Sequence, residues 1–254
     1  MSDISFFSLA IIACALFLGG LVKGATGAGT PVVAVPVIAA FMDIRLAVVI
    51  MVIPNLVTNV WQQWQYRAWR LPDNFAVRFA VAGGLGAFAG SVLLTSLDAD
   101  ILSILLVAAV FAYIGIRIGR PDFRLPFARA SQIVLPMGIV GGMLQGMAGI
   151  SAPAAVSFLN AMRLERAQFI STVSTFFVAM SVVQIIALSY FGLMTPTTIG
   201  MSLAALPPLF VSMPLGAWAA RKMSAKAFDR ALLILLAVLS IRLLYTSVEG
   251  FLNS

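Results

Sequence analysis

Apolar blocks of about twenty residues, joined by links too short to hold a domain, run the length of this 254-residue chain. They fall at residues 4 to 22, 31 to 42, 46 to 65, 75 to 96, 101 to 118, 131 to 147, 153 to 162, 168 to 191, 197 to 220 and 230 to 248. A helix rising 1.5 Å per residue crosses a hydrocarbon core of about 30 Å in about twenty residues. The longer blocks therefore read as spans, and the two short ones, 31 to 42 and 153 to 162, do not reach across. Only 10% of the residues are charged, against about a quarter in soluble domains. The fold class that follows is an all-α polytopic membrane protein, with no room for a soluble catalytic domain. The stretch ahead of the first block has Asp3 and no Lys or Arg, so that block reads as a retained helix and not as a cleaved signal.

The net charge of +7 does not point to nucleic acid, because the cations cluster between the apolar blocks, where they set orientation in a membrane. Arg67, Arg70 and Arg78 share one link; Arg117, Arg120, Arg124 and Arg129 the central one; Arg163 and Arg166 a third; Arg221, Lys222, Lys226 and Arg230 the last. All four are expected on the cytoplasmic side, of a bacterial inner membrane. The link at Asp98 and Asp100 and the link "FGLMTP" at 191 to 196 carry no cation and belong outside; Arg45 is the exception. Both chain ends are then expected outside. Cys14 is the single cysteine and histidine is absent, which removes disulfides, thiolate sites and imidazole metal sites; no metal and no cofactor is expected. Trp61, Trp64, Tyr66 and Trp69 beside Arg67 and Arg70 read as an interfacial aromatic belt.

The chain repeats itself. "GGLVKGATGAGTP" at 19 to 31 aligns with "GGMLQGMAGISAP" at 141 to 153, and "LGAFAG" at 85 to 90 with "LGAWAA" at 215 to 220. Residues 1–125 and 126–254 are thus two copies of one unit, integrated into a single domain. Threading the spans between the cytoplasmic links makes the block at 46 to 65 run inward and its counterpart at 168 to 191 run outward. The repeats are expected to be inverted, each with a broken, re-entrant hairpin plus three spanning helices, an architecture of secondary transporters with a midplane site.

The glycine-rich breaks carry the chemistry. A helix that stops inside a bilayer leaves amides and carbonyls that need protein or a watery cavity, and Pro31 and Pro153 suit the first turn of a half-helix pointing its positive end at each break. The Walker pattern places its lysine after the glycines; here Lys23 precedes them, so a nucleotide site is set aside. The substrate-binding candidates are Lys23, Thr26, Gly27, Gly29 and Thr30 from the first break and Gln145, Gly149 and Ser151 from the second. A buried cation with no acid in the segment cores implies a small anionic substrate. Asn59 and Gln63, on a polar stripe with Asn55, Thr58 and Gln62, and Thr175 and Gln184, on one with Ser171, Ser174 and Ser181, either line its path or bond between helices. Arg242 reads as a structural or interfacial cation. "GAFAG" at 86 to 90 reads as a helix-packing motif.

On the breaks "GATGAGTP" and "GMAGISAP" and the duplicated layout, the chain resembles the TauE/SafE family of sulfite and organosulfonate exporters over nearly its whole length. The resemblance implies a transporter, not an enzyme, for sulfite, sulfoacetate or a related small anion. An anion channel, or a transporter of non-sulfur organic acids, would share the same site.

Overall fold

The computed structural model describes residues 6–119, 123–222 and 237–238. Its described residues are helical, with no strand: α1 (Phe6–Thr26), α2 (Thr30–Ala39), α3 (Ile44–Gln65), α4 (Phe75–Ser96), α5 (Ala99–Gly119), α6 (Phe127–Ala148), a π-helical turn (Ala152–Val156) running into α7 (Ser157–Ala161), α8 (Arg166–Tyr190), α9 (Pro196–Ala204) and α10 (Leu206–Lys222). Six stretches are long and apolar enough to cross a membrane, the last being α9 and α10 together. The short blocks expected at 31 to 42 and 153 to 162 are the short helices Thr30–Ala39 and Ala152–Ala161. The block expected at 197 to 220 as one helix is divided at Ala205, two residues before Pro207 and Pro208, which lack the amides to continue it. The apolar block at 230 to 248, Arg120, Lys226, Arg230, Arg242 and both chain ends lie outside the described residues.

Caps and turns fix these helices locally. Asp43 Oδ1 accepts from the amides of Arg45 (2.8 Å) and Leu46 (3.4 Å) at the start of α3, and Thr195 and Thr198 form a reciprocal capping box on α9. Arg45, the cation out of place among the links, donates from Nε to Leu94 O (3.1 Å) and from Nη2 to Leu97 O (2.5 Å). It covers the carbonyl end of α4, where a positive charge meets the negative end of the helix dipole.

In hydrocarbon, helices gain nothing by hiding apolar surface from one another, so association depends on close van der Waals packing. Glycine provides it here. A methyl group on Gly142 of α6 would stand 2.0 Å from Gly83 O of α4, and one on Gly146 would stand 2.4 Å from Ala87 O. The corresponding glycines of the first copy, Gly20 and Gly24 on α1, meet Leu209 O (2.9 Å) and Met213 O (1.9 Å) of α10 in the same way. Gly90 of α4 faces Met143 O, and Gly216 of α10 faces Leu21 O, which aligns with Met143. By these contacts Gly216 corresponds to Gly90, one helical turn beyond the match that "LGAFAG" and "LGAWAA" suggest. The packing reading of "GAFAG" is what the contacts show, since Gly86 also lies against Ile139 O.

Between these two pairs stand α3 and α8, which run antiparallel: Asn55 Nδ2 donates to Ser181 Oγ (3.2 Å), whereas Gln63, further along α3, donates to Thr175 Oγ1, earlier on α8 (3.3 Å). Phe79 stacks on Phe176 with ring centroids 4.1 Å apart, and Phe158 of α7 packs on Phe79 at 5.6 Å, which ties the second short helix to α4 and α8.

Gly142→Val is expected to destabilise the protein by at least about 1–3 kcal/mol, because its side chain would force a backbone apart. Gly115, with nothing within 4 Å of its would-be Cβ, should accept alanine with no loss; melting temperatures in detergent check the pair.

Candidate functional site

Each break is made by glycines in the left-handed region that other residues adopt only at a cost. α1 ends at Gly27 (φ 84°), whose amide donates to Lys23 O at 2.7 Å. Gly29 (φ 113°) then turns the chain into α2, with Pro31 in its first turn. Thr26 Oγ1 contacts Val22 O, Ala28 O and the amide of Ala28, so this hydroxyl is spent on the turn itself. The second break ends α6 at Gly149 (φ 71°), whose amide donates to Gln145 O at 2.9 Å. Ser151 O accepts from the amides of Ala154 (3.2 Å) and Ala155 (2.8 Å), opening the π turn.

The breaks approach one another with a stagger. Gly149 packs against Val35 and Val48; Val35 lies about 7.5 Å of helical rise beyond the start of α2. Gly27 packs against Ile170 of α8, the residue that aligns with Val48. The two half-helix beginnings nonetheless share one cavity of about 380 Å³, with Thr26, Ala28 and Gly29 on one wall and Ala152 on the other. Its remaining lining includes Tyr113, Asn160, Arg117, Arg163 and Arg166, and no Asp or Glu among the described residues.

Lys23 points elsewhere. It is 1% exposed, donates from Nζ to Asn59 Oδ1 at 2.9 Å and lies 5.8 Å from the centre of the Phe177 ring. Asn59 Nδ2 in turn donates to Asn55 O (2.7 Å) and Asn55 Oδ1 (2.9 Å), and Asn55 reaches Ser181. A hydrogen-bonded chain thus crosses from α1 through α3 to α8. None of α1, α3, α8 and α10 contains an Asp or Glu, so the Lys23 amine is held by a neutral amide.

Of the remaining candidates, Gln63 and Thr175 bond to each other, and Gln184 Nε2 donates to Gly146 O at 3.4 Å. Thr30 Oγ1, Gln145 Oε1 and Ser151 Oγ are buried without a hydrogen-bond partner, together with Thr172 Oγ1. Such orphans are uncommon and call for a reason; three of the four belong to the two breaks. The structure therefore brings Lys23 together with Asn59, and Gly29 with Thr26 on one cavity wall, but keeps Lys23 out of that wall. The arginines of the cavity are residues the sequence offered only as markers of topology. A helix of 21 residues is about 31 Å long, as long as a span, so α1 ends at its break only after that length, beside Arg166. That length was the signal available for them.

A family model described as Sulfite exporter TauE/SafE matches residues 11–243. No curated protein and no solved structure matches the chain.

Asn59→Leu is expected to cost about 1–3 kcal/mol, because it leaves a buried Lys23 without its hydrogen bond. Adding Lys23→Met should recover most of that loss, which a double-mutant cycle on melting temperature reads as non-additivity.

Proposed function

The chain belongs to the sulfite exporter TauE/SafE family, a family of membrane transporters and not of enzymes, and on that premise we propose that it exports a small oxyanion by alternating access. The substrate class is sulfite or an organosulfonate, and the membrane is the bacterial inner membrane. The observation that carries the reading is the cavity in which both half-helix beginnings meet Arg117, Arg163 and Arg166, with no acid among its described lining residues.

In this reading residues 1–125 and 126–254 are inverted repeats. The antiparallel α3 and α8, and the recurrence of the α1–α10 contacts in α4–α6, support an axis in the membrane plane. Both chain ends are outside, and the cavity, reaching Arg163 and Leu164 in a cationic link, opens to the cytoplasm. An anion enters there, at the positive ends of the half-helices; the buried hydroxyls of Thr30 and Ser151, each without a partner, belong to the same two breaks. Lys23 supplies the deeper charge; its neighbours Val22 and Gly24 line the two cavities on either side of it. Gly27, Gly149 and Gln145 shape the breaks, and Asn59, Gln63, Thr175 and Gln184 line the interface along which the repeats move.

No core carboxylate or histidine is present to carry a proton, which favours uniport or exchange. An inside-negative potential drives an anion outward with about 2.3 kcal/mol per charge per 100 mV, so export needs no coupling ion.

A thermal-shift series with sulfite, sulfoacetate, thiosulfate, sulfate and carboxylates tests this. A ligand at a hundred times its Kd stabilises by about 2.7 kcal/mol, and a sulfur oxyanion is expected to give the largest rise. Lys23→Ala should remain folded and lose most of that rise. A carboxylate giving the largest rise would redirect the substrate class, and no response to any anion would defeat the proposal.

A further inference from the structure

The arginine that opens α8 touches more of the site than its place in a cationic link predicts. Arg166 donates from Nη2 to Gly24 O at 3.1 Å, with Ala25 O at 3.4 Å from the same nitrogen. These carbonyls belong to the last turn of α1, whose acceptors have no intrahelical donors because the helix stops at the break. Arg166 also lines two cavities. One is the space of about 380 Å³ between the hairpins; the other, of about 460 Å³, is bounded by Trp61, Gln62, Tyr66, Phe210 and Met213. Ala25 lines the first and Gly24 the second. The guanidinium therefore stands where the two spaces adjoin and holds the strip of backbone that divides them.

That strip leads directly to the buried cation, because Lys23 is the residue before Gly24 and its side chain enters the hydrogen-bonded chain of Asn59, Asn55 and Ser181. On its other side Gly24 is wedged against Met213, where a methyl group would stand 1.9 Å from a backbone oxygen. The end of α1 is thus held from α10 by close packing and from α8 by Arg166, with Ile170 packed on Gly27.

Peptide carbonyls are neutral acceptors, and both contacts here use a single nitrogen of the guanidinium. A sulfonate or carboxylate presents two charged oxygens to the planar fork of an arginine, a bidentate arrangement roughly twice as strong per bond as a neutral one. We propose that Arg166 is the latch of the cytoplasmic mouth and its selector for anions bearing two coplanar acceptor oxygens. An anion in the inter-hairpin cavity takes the guanidinium from Gly24 and Ala25, frees the end of α1, and joins the two cavities beside Lys23. This rests on the anion-transport reading above, and it assigns to one residue the coupling between substrate arrival and movement of the first hairpin.

The test uses the full chain in detergent with Cys14→Ala and Ala25→Cys, and follows the rate at which a maleimide labels the introduced thiol. Sulfoacetate is the probe, chosen because it does not consume maleimide, with chloride as the anion that cannot bridge a guanidinium. With Arg166 present, sulfoacetate is expected to raise the labelling rate about tenfold and chloride to leave it unchanged. Arg166→Gln should label at the raised rate without sulfoacetate and respond to it less than twofold. Arg166→Lys, which keeps the charge and loses the fork, should label fast and carries the test if the glutamine variant does not fold. A merely structural cap predicts faster labelling in the variants with no sulfoacetate response when Arg166 is present, and that result overturns the latch. If sulfoacetate raises the melting temperature yet leaves labelling unchanged, the latch fails and the anion reading stands; if it moves neither, both fail for sulfonates.

Discussion

Hydrocarbon offers no water to a backbone amide or carbonyl, so a helix that stops within a bilayer must hand its end to the protein. The same demand, that the free groups of a helix end find partners, is met at each break. Two helices, α1 and α6, stop at left-handed glycines, and everything nearby serves their exposed ends. Gly27 and Gly149 close them with amides returned to Lys23 O and Gln145 O. Thr26 completes the first turn with its own hydroxyl, and Arg166 covers the carbonyls left over. Arg45 does the same service for α4. Thr30 Oγ1, Gln145 Oε1 and Ser151 Oγ at the breaks, with Thr172 Oγ1 on α8, are buried without a partner.

The second organising fact is close backbone contact. Glycines on α1 and α6 admit α10 and α4 to distances no side chain permits, and each partner comes from the other half of the chain. The halves are therefore interlocked and not merely adjacent, with α3 and α8 as the shared seam. The two breaks differ in backbone and in charge: an α-helix follows the first and a π turn the second, and Lys23 in one answers Gln145 in the other.

Much of this was legible in the chain. The apolar blocks, the two short helices and both breaks follow from residue counts, from Gly27, Gly29 and Gly149, and from prolines placed where a helix begins. Lys23 stood out because a buried cation needs a reason. Three things were not legible. The register between α4 and α10 differs by a turn from the match of "LGAFAG" with "LGAWAA", and only contact with Met143 and Leu21 decides it. The division at Ala205 depended on how a proline pair is accommodated. The arginines of the cavity were hidden because a cation in a link has two uses, orientation and binding, and sequence separation conceals that residue 166 meets residues 24 and 25.

The account turns on an anion held between the two half-helix beginnings. Selenite, a close analogue of sulfite with an anomalous scatterer at its centre, locates that position directly when the protein is crystallised with it. The account predicts an anomalous peak in the cavity walled by Thr26, Gly29 and Ala152. A peak confined to surface cations, or none at a selenite concentration that stabilises the protein, would contradict it.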